Sequence, residues 1–306
     1  MPPKNRLQSK WRIGDSIEIN SNKVITMIQV KDVVKSFDGN MVLDHISADF
    51  EDGKVNMIIG QSGSGKTVLM KSMIGLHQID EGEILFDTRS NTDMGRPAGY
   101  RTAQAPIGNG QVVQRNLAGM TEKEVRLLHR EVGMLFQGSA LFDSMTVQEN
   151  VMYPLEMFSQ MSKEEMVERA RFCLTRVNMP ERAFELMPSE ISGGMQKRVA
   201  IARAIALNPR YLFCDEPNSG LDPKTSLVID QLIQDITQEY NICTVVNSHD
   251  MNSIMEIGDN IVFLRNGVKE WQGSRHEIFH TENEALNDFV FASELFKKVK
   301  SAARSV

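Results

Sequence analysis

Residues 60–67 read Gly60-Gln61-Ser62-Gly63-Ser64-Gly65-Lys66-Thr67, between an apolar run, Val55-Asn56-Met57-Ile58-Ile59, and a helical pattern expected over Thr67–Leu76. Glycines at this spacing let the backbone turn tightly and aim successive N–H groups inward, a cradle that suits phosphate. Lys66 adds a positive charge for the β- and γ-phosphates of a nucleotide, and Thr67 offers a hydroxyl to Mg²⁺. The helix that follows turns its positive N-terminal end to the same place. A strand before the loop and a helix after it separate such a loop from a chance match. They point to an α/β fold with a ligand at a strand's carboxyl end.

The remaining pattern agrees. Tyr211-Leu212-Phe213-Cys214 and Cys243-Thr244-Val245-Val246 read as further buried strands. Between them, Leu227–Tyr240 places Val228, Leu232 and Ile236 at four-residue spacing, as on one helix face. Strands alternating with helices imply a parallel sheet covered on both faces. Residues 145–190 are mainly helical in pattern, with Met166, Ala170, Leu174 and Val177 in register, and read as a separate lobe. Residues 1–26 are polar and mildly basic, a leader expected to be disordered, and the first patterned strand starts at Met27. Residues 88–120 hold Gly95, Gly99, Gly108, Gly110 and Gly119 with no apolar period, so a structureless insertion is expected there. Leu286, Phe289, Val290, Leu295, Phe296 and Val299 suggest an amphipathic helix in an extension over 281–306, with Lys297, Lys298, Lys300 and Arg304 towards its end. Such a helix can dock on its own domain, reach a second subunit, or lie on a membrane surface. Few aromatic anchors weaken the last reading.

Bulk properties exclude several classes. A net charge of −6 over 306 residues does not suit a nucleic-acid binder. Three cysteines without paired spacing argue against a disulfide framework, and Cys214 and Cys243, within apolar strands, are expected to be buried free thiols. No apolar run approaches the roughly 18–20 residues that span a bilayer, and the N-terminus has no secretory apolar region.

Five further positions carry chemistry. The strand Tyr211–Cys214 runs into Asp215-Glu216: Asp215 suits a Mg²⁺ held through water, and Glu216 lies one residue further, where it can polarise an attacking water. Gln137 ends the apolar run Val132–Phe136. His249 comes 34 residues after Asp215, at the end of the next strand; it is a surface or capping histidine, or it contacts a γ-phosphate and senses its loss. Phe37, just before the turn Asp38-Gly39, either stacks on adenine or packs in the core. Finally, Ser192-Gly193-Gly194 precede a helix expected over Met195–Leu207, offering a hydroxyl, backbone N–H groups and a positive helix end. One anion cradle already covers one side of a nucleotide, so a second belongs on another face.

In this order these segments resemble the ATP-binding subunits of ABC transporters over about residues 27–275. Phe37 matches the adenine-stacking aromatic, Gly60–Thr67 the Walker A loop and Gln137 the Q-loop. Ser192-Gly193-Gly194 matches the signature, Tyr211–Glu216 Walker B, Ser219–Asp222 the D-loop and His249 the switch histidine. The resemblance implies an ABC-type P-loop ATPase over 27–280: a parallel-sheet RecA-like core, an N-terminal antiparallel β portion and an α-helical signature lobe at about 145–195. It implies ATP and Mg²⁺ as cofactors, with Thr67, Gln137 and Asp215 as metal ligands and Glu216, His249 and Lys66 as catalytic residues. Phe37, Gly60, Gln61, Ser62, Gly63, Ser64, Gly65, Lys66, Thr67, Val68, Gln137, Ser192, Gly193, Gly194 and Asp222 are implied in nucleotide binding.

It further implies a head-to-tail pair of copies, each ATP lying between Walker A of one and the signature of the other, on membrane permease subunits at the cytoplasmic face of a bacterial inner membrane. The stretch Phe136–Val151 and the Ser192-Gly193-Gly194-Met195 signature look like the Mla/Mce-type phospholipid transporters. Phospholipid transport, with a Mce-domain protein and a small cytoplasmic accessory protein as partners, is therefore the leading expectation. The alternatives are the ATPase of a small-solute importer, for instance of an amino acid, and a soluble non-transport ABC ATPase. No nucleic-acid partner is expected.

Overall fold

The computed structural model describes residues 26–88, 113–292 and 294–303. The leader, apart from Thr26, and residues 89–112 of the expected insertion lie outside the described residues.

Two sheets build the molecule. The first is antiparallel, in the order β2-β1-β4-β5. It comprises β1 (Thr26–Phe37), β2 (Asn40–Glu51), β4 (Glu81–Thr88) and β5 (Val113–Asn116). In β2, Leu43, Ile46, Ala48 and Phe50 are buried between more exposed residues, the period of a strand covered on one face. The second sheet runs β10-β9-β3-β8-β7-β6, with β3 (Val55–Ile59), β6 (Val132–Leu135), β7 (Tyr211–Asp215), β8 (Cys243–Ser248), β9 (Asn260–Arg265) and β10 (Val268–Gly273). Its neighbours are parallel from β9 through to β6, and only β10 is antiparallel to its partner. β3, β7 and β8 are buried at every position, as parallel strands covered on both faces require.

That double burial divides the core in two. Met57 and Ile59 of β3, with Leu212 and Cys214 of β7, face the helical side of the sheet. Ile58, Tyr211 and Phe213 point the other way, into the space shared with the antiparallel sheet. The helices are α1 (Lys66–Met73), α2 (Glu122–His129), α3 (Val147–Phe158), α4 (Lys163–Arg176), α5 (Gly193–Ile205), α6 (Pro223–Tyr240), α7 (Met251–Ile257), α8 (Glu284–Val290) and α9 (Glu294–Ala303). The helical lobe starts cleanly because Thr146 and Ser162 cap α3 and α4, each in a reciprocal box with Glu149 or Glu165.

Three expectations change. Val228 is 47% exposed, and the buried stripe of α6 runs through Ile229, Leu232, Ile233 and Ile236 instead. Steps of four fall behind a helix of 3.6 residues per turn, whereas alternating steps of three and four hold one face. The region 88–120 is not structureless throughout: Val113–Asn116 pair with Leu85–Thr88 as an edge strand, and a 3-10 turn follows at Leu117–Gly119. The C-terminal helix is two helices, α8 and α9. Leu286, Val290 and Phe291 are buried, and Phe289 stacks on Phe263 of β9 with centroids 5.4 Å apart. The first part of the extension therefore docks on its own domain. Cys173, Cys214 and Cys243 are free and buried.

Candidate active site

Every candidate group on the second sheet lies at the carboxyl end of a strand, the usual ligand position in open α/β sheets. The loop after β3 has Gly60, Gly63 and Gly65 at φ of +148°, +81° and +99°, a region that side chains resist. Space adds a second constraint at Gly60. A Cβ there would lie 2.2 Å from the Leu264 backbone oxygen of β9 and 2.7 Å from Ser64 Oγ, whereas Gly63 faces open space. G60A is therefore expected to destabilise the chain by about 1–3 kcal/mol or more through backbone overlap. G63A is expected to cost only the left-handed conformation, about 1–2 kcal/mol. Urea denaturation of both variants checks the order; equal stability of G60A and the parent would contradict it.

Lys66 opens α1 and is buried, and its Nζ donates to the carbonyls of Gly60 and Gln61, both at 2.9 Å. The ammonium is thus held across the concavity of its own loop. Burial is the main effect on its pKa, which is lowered; the carboxylates of Glu216 and Asp215 act in the opposite sense. Gln61 and Ser62 are exposed, and Ser64 is buried with its Oγ unpartnered among the described residues. Val68, half-buried, packs on the core.

Thr67 Oγ1 donates to Asp215 Oδ1 at 3.3 Å, and Asn247 Nδ2 donates to the same oxygen at 3.0 Å. A hydroxyl beside a carboxylate at the mouth of the phosphate loop is a donor set that fits Mg²⁺, which prefers oxygen and keeps several waters. Glu216, next in the chain, has φ of +48°, and its amide donates to the Asn247 carbonyl at 3.1 Å. His249 Nδ1 lies 2.9 Å from Glu216 Oε1. An ionised carboxylate only accepts, so Nδ1 carries the proton in this contact. The imidazole is 68% exposed, so His249 is a surface histidine that is paired with the acid.

Gln137 is exposed and its Nε2 donates to Ser219 Oγ at 3.3 Å, while its backbone carbonyl accepts from Lys197 Nζ of α5. Beyond it, Ser139 and Ala140 have φ of +63° and +48°. Arg203 of α5 clamps their carbonyls at 2.8 and 2.7 Å. Phe37 is not core: it is 37% exposed, edge-on to His77 with centroids 5.3 Å apart. Its hairpin is tied to the loop, since a Cβ on Gly65 would meet Leu43 Cδ2 and the Val42 carbonyl, each at 2.9 Å.

Ser192, Gly193 and Gly194 are not brought to the loop by hydrogen bonds among the described residues. Ser192 caps α5, its Oγ accepting from the Met195 amide at 3.3 Å. Gly194 packs on Thr225, where a Cβ would lie 2.6 Å from the methyl carbon. Asp222 caps α6 through the amides of Lys224 and Thr225, both at 3.1 Å. The signature and the D-loop thus lie side by side. Sequence reading passed over Lys197, Asn247, Asn218 and Asp230, polar residues whose partners become visible only in the fold.

The family model for ABC transporters matches residues 43–219, more than half of the chain and the span from β2 to the D-loop. This chain belongs to the ABC transporter family. It is an ATP-binding ATPase. A methionine import ATP-binding protein of Clostridium tetani is 34% identical over 269 residues, covering 88% of this chain and 76% of that protein. A probable ribonucleotide transport ATP-binding protein of Mycobacterium leprae is 30% identical over 265 residues, covering 86% and 68%. Among solved structures, the dimeric post-hydrolysis state of the cassette MJ0796 bound to ADP and Pi gives a TM-score of 0.66 at 29% identity, covering 81% of this chain and 99% of that one. The protein cbiO1 of Clostridium perfringens, part of the ABC transporter complex cbiONQ, matches in fold with a TM-score of 0.69 at 23% identity, covering 91% of this chain and 99% of that one.

The phospholipid expectation is corrected by these relatives. Methionine import proteins of Clostridium tetani, Clostridioides difficile and Campylobacter jejuni match 86–88% of this ATPase at 30–34% identity. The Mce-domain and accessory partners fall with the Mla/Mce assignment. One of the two cues, Met195, packs on the core beside the signature.

Proposed function

We propose that this ATPase powers import of a small polar solute of the amino-acid class, methionine being the first to test. The observation that carries the reading is the 34% identity to a methionine import ATP-binding protein across 88% of the chain. It is joined by Lys66, Asp215, Glu216 and His249, the side chains that the hydrolytic reading needs.

In this reading the loop amides and Lys66 bind the β- and γ-phosphates, and Phe37 stacks on adenine. Mg²⁺, held by Thr67, Asp215 and Gln137, offsets phosphate charge when bound. Glu216 accepts the proton of the attacking water, and His249, hydrogen-bonded to it, orients that carboxylate towards the γ-phosphate. Ser192–Gly194 of a second copy close over the nucleotide, in line with the dimeric state of the MJ0796 cassette bound to ADP and Pi. Residues 27–280 act as the ATPase domain, with the lobe at about 145–195 carrying the signature. Among the described residues no helix is long and apolar enough to cross a membrane. In line with the import ATP-binding proteins it resembles, the chain works on membrane permease subunits at the cytoplasmic face of the membrane. Phe136 and Phe142, exposed on either side of the clamped loop 138–140, suit the permease contact.

Affinity purification of the tagged chain from detergent-solubilised native membranes, with mass spectrometry of proteins and small molecules, tests this. A permease with bound methionine or a related amino acid is the expected result. Enrichment of phospholipid with a different membrane partner, or recovery only with soluble assemblies, would overturn it.

A further inference from the structure

Asp230 lies on α6, 2% exposed, outside every motif named above. Its Oδ1 accepts from Asn218 Nδ2 at 2.8 Å, and its Oδ2 accepts from Ser253 Oγ at 2.8 Å. Asn218 Nδ2 also donates to Ser253 Oγ at 2.9 Å, which closes a triangle of three side chains from three segments. Asn218 is two residues past Glu216, in the turns closed by Ser219 N to Glu216 O and by Leu221 N to Asn218 O, both 3.1 Å. Ser253 lies in the first turns of α7, four residues past His249. The two segments that carry the Glu216–His249 pair are therefore fastened to each other through a carboxylate that belongs to neither.

The chemistry selects a carboxylate. Asn218 Nδ2 can only donate, and Ser253 Oγ, which accepts from Asn218, uses its proton elsewhere, so the third corner must accept on both oxygens. We propose that Asp230 is a positioning residue for ATP hydrolysis: it fixes the spacing between the Glu216 turn and the His249 segment and so holds their hydrogen bond in register. The inference rests on the assignment of Glu216 and His249 as the hydrolytic pair.

The buried carboxylate also carries an electrostatic cost. Burial, reinforced by the negative charges of Asp250 and Glu256 on the α7 side, raises its pKa from 3.8 to about 6, against the two hydrogen bonds that lower it. With a raised folded-state pKa, the native chain holds the proton more tightly than the unfolded one. Stability therefore falls as pH rises from about 4 through about 6, and at pH 8 the ionised Asp230 is a cost.

The test uses the full chain at pH 8, with steady-state ATP hydrolysis and thermal unfolding of D230N, D230A, H249A and D230A/H249A. D230N and D230A are expected to lower kcat about tenfold, with KM for ATP within about twofold, the split of a group acting after binding. D230N keeps the shape and removes the charge but places an amide donor where a carboxylate oxygen accepted, so its unfolding temperature is read beside kcat to separate a loss of hydrolysis from a loss of folding. In the H249A background, loss of Asp230 should change kcat by less than about twofold, because the coupled partner is already gone. Parent-like kcat in D230N would overturn the proposal, as would an equal tenfold loss in the H249A background. Parent-like kcat in H249A would instead remove the His249 assignment and this proposal together, whereas a slow H249A with a fast D230N removes the proposal alone. Should D230A not fold, D230N and a D230N/H249A pair give the same reading.

Discussion

The E216Q variant of the full chain is expected to hydrolyse ATP about 10²–10⁴-fold more slowly, the range a positioned general base supplies. Glutamine has the shape of glutamate and keeps an oxygen for the Glu216–His249 contact of 2.9 Å. It cannot take the proton of an attacking water. The left-handed backbone at Glu216, with φ of +48°, and its amide bond to Asn247 are unaffected by the change. The side chain thus stays where it is and only its basicity is lost. Nucleotide affinity should hold or tighten, since one negative charge leaves the neighbourhood of the γ-phosphate while Lys66 and the loop remain. Phosphate release, nucleotide titration and size-exclusion chromatography with ATP measure the three quantities. Unchanged turnover would show that another group accepts the proton.

The K66A variant is the second large effect, and it acts on binding. Hydrogen bonds to charged groups contribute about 1.5–3 kcal/mol each, so loss of the ammonium should weaken ATP about 10–100-fold. The contact of Lys66 Nζ with the Gly60 and Gln61 carbonyls shows where the charge stands when it holds the loop, and the same reach brings it to a phosphate in the concavity. Its lowered pKa sets a pH signature. A base with a lowered folded-state pKa binds fewer protons native than unfolded, so stability rises with pH between that lowered value and 10.5. The buried ammonium is therefore a net cost at neutral pH, and K66A should lose affinity without a matching loss of stability. ATP binding by the parent should also begin to fall on the alkaline side before an ordinary lysine would titrate. Equal loss of affinity and thermal stability would mean that the lysine holds the fold and not the nucleotide.

Both effects come from residues legible in the sequence, for a physical reason. Gly60, Gly63 and Gly65 are needed because their φ values are positive, and the acids follow an apolar strand whose end is fixed by its burial. Such local requirements are readable along the chain. The triangle of Asp230, Asn218 and Ser253 spans sequence separations of 12, 23 and 35 residues, and each member alone reads as an ordinary turn or helix polar residue. Lys197 is similar: nothing in the signature says that its ammonium reaches the Gln137 carbonyl, 60 residues earlier.

The difference on the α6 face has a geometric cause: at steps of four, Val228 falls off the buried stripe that holds Leu232 and Ile236. The C-terminal pattern was read as one helix although Phe291 ends the first and is buried at the break. The cargo was the least legible of all. Hydrolysis chemistry is the same whatever crosses the membrane, and of the cargo cues Met195 packs against the core while Phe136 and Phe142 are exposed.

ATP-driven uptake into proteoliposomes, with the chain reconstituted on its co-purified permease, tests the central claim most directly. Labelled methionine is offered beside an unrelated amino acid and a labelled phospholipid. The account predicts accumulation of methionine or a close analogue that needs ATP and Mg²⁺ and disappears with E216Q. ATP hydrolysis that moves phospholipid and no amino acid would contradict it.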